Sequence, residues 1–354
     1  VGVLPKVRAR AGIPRFAARL RRGEPVTVVA FGTSMTAYGE YLHHAADALR
    51  AVPGAGEVTF VNAGMRGYVT LNAPFRVQDA VAAHAPDLVL IEFAHNDTAP
   101  LALEAIRSVL LGMMAQLWSA GPCEFAFVYL APRDRAAAGP TDAMLRYEDV
   151  ADEFGIASID CATFVESLAR AGEITWVDGE RAITRDGTHY STLARDVVGR
   201  PFADALVALV DASTGPERDM FPELTSPFAR TGLRPAHAFA SEGAEWAVCP
   251  PLDHDNRIAE AYADGRVLAN RVAGATFRVP IEGTLLFGWI SGTGTVDIRG
   301  TPPFLPISYD FDNPTFWRSC LFAAAGSTTR GEVIVTVSAG TAIFGDLNVA
   351  GTFP

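Results

Sequence analysis

The sequence predicts an α/β fold with a mainly parallel sheet of five strands, followed by a C-terminal β-sandwich domain. Three observations carry this. Across residues 24–212, short apolar runs alternate with helix-spaced segments five times, which places helices on both faces of a parallel sheet. From about residue 245 the helix signals vanish, and short strands separated by Gly, Pro, Ser and Asp take over, the pattern of a small sandwich. Between the two, residues 213–240 are rich in Pro, Gly and Ser without a period and read as a linker. The expected domains are thus an N-terminal extension (1–23), an α/β domain (24–212), the linker (213–240) and a β-rich accessory domain (241–354).

The elements follow in order. After an Arg-rich, helix-like stretch at 16–22, "PVTVVAFG" (25–32) is a β-branched apolar run suited to a strand buried on both faces. "YLHHAADALRAV" (41–52) puts Leu42, Ala45, Ala46 and Leu49 on one helical stripe. "EVTFVNAG" (57–64), "DLVLIEFA" (87–94), "CEFAFVYLA" (123–131) and "IASIDC" (156–161) are the remaining strands. Helices are expected over 76–84, through "LEAIRSVLLGMMAQLWSAG", over 141–155 and over 191–211, the last interrupted at Pro201.

Composition narrows the function. With 49% apolar and 19% charged residues, the chain has ample material for a core. A net charge of −11 argues against a nucleic-acid partner, which needs a basic face. Lys6 is the single lysine, so no P-loop can be assembled. Cys123, Cys161, Cys249 and Cys320 lack the spacing of a zinc site; the first two read as buried thiols, while the last two are free to form one bridge. No metal is expected. No apolar run reaches the ~20 residues of a membrane span, and no signal peptide is visible, although a start at Val1 is compatible with a removed leader. Compartment and oligomeric state stay open.

In an open parallel sheet, chemistry collects outside the carboxyl ends of the strands. Ser34 stands there after the first strand, Asn62-Ala63-Gly64 after the second and His95-Asn96-Asp97 after the third, with "DGTHYS" (186–191) just before the last helix. Singly, each has a plain structural reading: a cap at Ser34, a positive-φ turn at Gly64, a helix cap at Asn96-Asp97, a tight turn at Asp186-Gly187. Together they make an ester-cleaving set. A serine hydroxyl becomes a nucleophile when an imidazole takes its proton and a carboxylate orients that imidazole; Ser34, His189 and Asp186 are the candidates. The N–H of Ser34, the N–H of Gly64 and the amide of Asn96 are candidates for an oxyanion hole. Thr36 stands where a Gly-x-Ser-x-Gly elbow needs its second glycine, which argues against the α/β-hydrolases.

Over residues 24–212 the chain resembles the SGNH (GDSL-like) hydrolases, whose four blocks appear in order as "FGTSMT", "NAGMRG", "EFAHND" and "DGTHYS". The resemblance implies a flavodoxin-like three-layer α/β/α fold, no cofactor, and hydrolysis of esters, often acetyl groups on carbohydrate. Two positions depart from the pattern: Thr33 where the group often has aspartate, and Glu92-Phe93-Ala94-His95 where a glycine often precedes Asn-Asp. Neither removes a catalytic group.

Met35, Arg66, Tyr68 and His95 adjoin these blocks and are candidates for substrate contact, with packing as the competing reading. "DHDN" (253–256) lacks the rest of a calcium loop and reads as a turn. Trp246, Trp289, Trp317, Tyr309 and Phe311 suit either a sandwich core or a sugar-stacking platform. The expected activity is a serine esterase acting on a small-molecule or oligosaccharide ester. The alternatives are an O-acetyltransferase with the same triad and a non-catalytic glycan-binding protein.

Overall fold

The alternation of the first half folds as a six-stranded sheet. In the computed structural model, which describes residues 4–98, 100–136, 139–217, 226–240, 243–249, 266–300 and 307–354, the chain divides into two compact units, Val1–Leu224 and Thr225–Pro354. The strands of the first unit are β1 (Lys6–Arg8), β2 (Val26–Gly32), β3 (Val58–Asn62), β4 (Leu88–Glu92), β5 (Glu124–Tyr129) and β6 (Ala157–Asp160). Their order is β1-β6-β5-β4-β2-β3. All neighbours are parallel except β1, which lies antiparallel on β6. The helices are α1 (Pro14–Arg21), α2 (Ser34–Tyr38), α3 (Ala45–Arg50), α4 (Val77–Ala80), α5 (Pro100–Ala120), α6 (Arg133–Ala136), α7 (Asp142–Phe154), α8 (Cys161–Arg170) and α9 (Arg200–Ala212).

Residues at alternate positions of the strands serve opposite faces. Val28, Ala30, Leu88, Leu90, Ala126 and Val128 share one core with Phe16 and Leu20 of α1, Leu49 of α3, Phe164 of α8 and Leu206 of α9. Full burial of such a side chain contributes roughly 1.5–3 kcal/mol. On the other face, Tyr147 of α7 meets Phe127 edge-on, with ring centroids 4.8 Å apart. β2 is paired on both sides, Val28 facing Phe60 of β3 and Leu88 of β4. The chain therefore leaves β2 in one direction and returns past it, which makes the carboxyl end of β2 a topological switch point, the place where ligands bind in open α/β sheets.

Three expectations are corrected. The sheet has six strands rather than five, because β1 is a three-residue edge strand, Lys-Val-Arg, too short and too charged to show a pattern. The described residues 4–23, which carry β1 and α1, are therefore part of the first unit and not a mere extension. Glu124 of β5 caps α1 by accepting the N–H groups of Arg15 (3.1 Å) and Phe16 (2.8 Å). Helix α8 was not expected from the sequence; Asp160 caps it, accepting the Thr163 N–H at 2.9 Å.

The second unit is an antiparallel β-rich sheet built from β7 (Thr231–Pro235), β8 (Trp246–Cys249), β9 (Val267–Asn270), β10 (Thr276–Gly300) and β11 (Ile307–Thr352). β7 pairs with Asp346–Ala350, so the stretch expected as a linker already contains a strand of this sheet. β10 is flanked on both edges by parts of β11, Gly288 facing Cys320 on one side and Leu347 on the other. Trp246, Phe277 and Phe344 interlock at centroid distances of 5.2–5.9 Å in its core. Trp289 and Phe311 are also buried. The "DHDN" stretch and the side chains of Trp317, Cys249 and Cys320 lie outside the described residues.

Candidate active site

Ser34 heads α2 immediately beyond the carboxyl end of β2. The turn that presents it is made by Thr33, whose extended backbone stops the strand and whose Oγ1 accepts the Met35 N–H at 3.2 Å. This is ordinary N-capping by threonine. As the first helical residue, Ser34 has an N–H with no acceptor inside its own helix.

His189 Nε2 lies 2.9 Å from Ser34 Oγ, and His189 Nδ1 lies 2.7 Å from Asp186 Oδ2. The loop that achieves this is closed on itself. Asp186 Oδ1 accepts the N–H groups of Thr188 (3.0 Å) and His189 (2.8 Å), and Gly187 takes a positive φ of 88°, which glycine adopts without steric cost. Burial pushes the Asp186 carboxyl up, but its bonds from the His189 ring and from the two N–H groups outweigh this and bring it down to about 2. Asp186 is therefore a carboxylate wherever His189 needs an acceptor. Beside the imidazole, the half-exposed ring of Tyr38 meets His189 edge-on at 5.0 Å. Arg185 lies over that ring at 5.2 Å and is itself held by the buried Glu40 at 2.7 Å.

The three expected oxyanion donors are not equivalent. Asn96 spends one N–H of its amide on the Tyr68 carbonyl at 2.9 Å, which orients the group and leaves the second N–H. Gly64 is different: its N–H donates to Asn62 Oδ1 at 2.9 Å, while Asn62 Nδ2 donates to the Thr36 carbonyl at 2.7 Å. The Gly64 N–H is therefore engaged rather than open. Nor is Gly64 a positive-φ turn residue. It is glycine because a Cβ there would sit 2.1 Å from the Ala37 nitrogen and 2.5 Å from the Thr36 carbonyl carbon.

Of the four candidates for substrate contact, three are turned inward. Met35 belongs to the hydrophobic core. Tyr68 is buried. His95 is 2% exposed and bonds Glu92 Oε1 through Nδ1 at 2.7 Å, so it faces the interior. Arg66 alone stays half-exposed. Sequence reasoning missed Glu92, Thr36 and Tyr41, which form a buried polar cluster with Thr33 and His95 under the Ser34 turn. The available signal was a glutamate closing an otherwise apolar strand, since a buried carboxylate must find partners. Tyr38 and Arg185 were also not singled out.

Among the described residues, no group of three or more His, Cys, Asp or Glu side chains is placed to share a metal ion. No helix among them is long and apolar enough to cross a membrane.

No protein-family model and no curated protein matches the sequence. Solved structures do. A two-domain esterase active on acetylated mannans aligns with a TM-score of 0.72 at 15% identity, covering 96% of this chain and 99% of its own. A structure of such an esterase co-crystallised with mannopentaose aligns with a TM-score of 0.69 at 15% identity, covering 96% of this chain and 98% of its own. The chain shares the fold of these two-domain esterases.

Proposed function

We propose that the chain is a serine esterase that removes small acyl groups, acetyl above all, from carbohydrate through an acyl-enzyme. The observation that carries this reading is the hydrogen-bonded row Asp186–His189–Ser34 at 2.7 and 2.9 Å. His189 Nε2 takes the Ser34 proton as Oγ attacks the ester carbonyl, and Asp186 fixes the ring so that Nδ1 keeps its own proton. The Ser34 N–H and the free N–H of Asn96 receive the developing oxyanion. The Gly64 N–H joins them when the anion outcompetes Asn62 Oδ1. The tetrahedral species collapses, and the alcohol leaves with the proton from His189. Water, deprotonated by the same imidazole, then releases the acid from Ser34.

The substrate class draws support from the shared fold, because the similar structures are an esterase active on acetylated mannans and one crystallised with mannopentaose. In this reading the first unit is a flavodoxin-like three-layer catalytic domain, and the second is a β-sandwich with an accessory role. Ser34→Ala tests it. Turnover of 4-nitrophenyl acetate and acetate release from acetylated mannan oligosaccharides should fall by ~10⁴ or more, with the melting temperature nearly unchanged. Activity retained in Ser34→Ala removes the nucleophile and the reading with it.

A further inference from the structure

Directly beneath the Ser34 turn lies a carboxylate that the proposed chemistry does not use. Glu92 ends β4 and is 1% exposed. A buried carboxylate is tolerated only when its oxygens are supplied with donors, and here the donors come from a particular set of residues. Oε2 accepts from the Thr33 N–H at 3.2 Å, the Thr33 hydroxyl at 3.0 Å and the Thr36 hydroxyl at 2.8 Å. Oε1 faces His95 Nδ1 at 2.7 Å. Tyr41 Oη backs the Thr36 hydroxyl at 3.0 Å, and His95 Nε2 lies 3.3 Å from Thr33 Oγ1. Thr33 precedes Ser34, Thr36 stands one turn of α2 onward, and His95 precedes Asn96.

Gly32 makes the arrangement possible. A Cβ at that position would meet Thr36 Oγ1 at 2.2 Å and Glu92 Oε2 at 2.8 Å. The end of β2 is thus emptied of side chain where the carboxylate passes under the turn.

We infer that Glu92 is a positioning residue: its carboxylate locks the nucleophile turn to the loop bearing Asn96, with His95 clamping its second oxygen. The inference rests on Ser34 being the nucleophile. The Thr33 hydroxyl ends on Oε2, and the Thr33 N–H is shared between that oxygen at 3.2 Å and the Glu92 backbone carbonyl at 3.0 Å, so Thr33 is tied to Glu92 through side chain and main chain together. The place of Ser34 Oγ relative to His189 and to the oxyanion donors follows from Thr33. Displacement of a reacting group by about 1 Å costs on the order of 10² in rate.

The test uses the full chain carrying Glu92→Gln, Glu92→Ala, His95→Asn or His95→Phe. Hydrolysis of 4-nitrophenyl acetate and labelling of Ser34 by a fluorophosphonate are measured at a fixed interval below each variant's own melting temperature. At that matched interval a purely structural loss disappears. Glu92→Gln should lower kcat by about 10² while KM moves less than about three-fold, with labelling slowed in parallel. His95→Asn, whose amide can still donate to Oε1, should keep most of the kcat that His95→Phe loses. Glu92→Ala labelled and turning over within about three-fold of the unmodified protein overturns this inference alone. An unmodified protein that the probe does not label overturns the nucleophile assignment, and this inference with it.

Discussion

Thr33 and Glu92 are joined side chain to side chain, Oγ1 to Oε2 at 3.0 Å; Thr33 and the Glu92–His95 stretch, which Glu92 opens, are the two places at which the sequence departs from the pattern of the hydrolases it resembles. The two departures form one local arrangement, a hydroxyl before the nucleophile facing a carboxylate from the next strand. Thr33→Asp should therefore be poorly tolerated, although it restores the residue common in that group. It brings a second carboxylate within about 3 Å of the first in a site closed to water, where both cannot ionise together. The expected loss of stability is roughly 3 kcal/mol. Thermal melts check this, and Glu92→Gln in the same chain should recover much of the loss.

Gly64→Ala probes the other side of the nucleophile helix. The added methyl would meet backbone atoms of Thr36 and Ala37, not the end of a flexible side chain, so α2 or the Gly64 loop must move. Both carry parts of the site. kcat/KM for 4-nitrophenyl acetate should fall by about 10² or more, while the far-ultraviolet circular dichroism of the variant remains that of the folded protein.

These two cases show what the sequence could and could not convey. Features whose physics is local were readable. Strands β2, β4 and β5 are apolar runs, Thr141 and Gly155 mark both ends of α7, and the Asp186–His189 turn closes over three residues. What failed was long-range or without period. Glu92 finds its hydroxyl partners 56 and 59 positions upstream, a pairing that only the parallel neighbours β2 and β4 create. Met35 sits in the five-residue helix α2, and Tyr68 and His95 sit in short loops; none of these segments is long enough for periodicity to tell an inward side chain from an outward one. The engagement of the Gly64 N–H by Asn62 depends on a loop conformation that composition does not encode.

Tyr190, next to His189, is buried and carries a hydroxyl with no hydrogen-bond partner among the described residues. Burial pushes its phenol well above the usual range, so it stays neutral. A buried donor left unmade costs about 1–3 kcal/mol. Tyr190→Phe removes the group and keeps the ring that packs in the core. The variant should melt at the same temperature as the unmodified protein or a few degrees higher, with kcat unchanged. A clear drop in melting temperature would show that the hydroxyl has a partner after all.

Asp97 adds a pH dependence whose direction can be worked out. Its Oδ1 accepts the Thr70 N–H at 2.9 Å, its Oδ2 accepts the Thr70 hydroxyl, and the same hydroxyl oxygen lies 2.6 Å from Tyr147 Oη. Burial pushes the carboxyl up; the two bonds from Thr70 offset this only in part, leaving it at about 6 against an ordinary 3.8. Between those values the folded chain holds a proton that the unfolded chain has released. The stability contributed by the neutral acid is thus complete below pH 3.8 and is lost as pH rises through 6, in line with proton linkage. The full span corresponds to roughly 3 kcal/mol. In Asp97→Asn the group no longer titrates, while its side-chain oxygen still accepts the Thr70 N–H. Melting temperatures of the first unit, taken from about pH 5 to about pH 8, should therefore fall less steeply in the variant than in the unmodified protein. Parallel slopes would mean that Asp97 ionises in the fold as easily as it does in water.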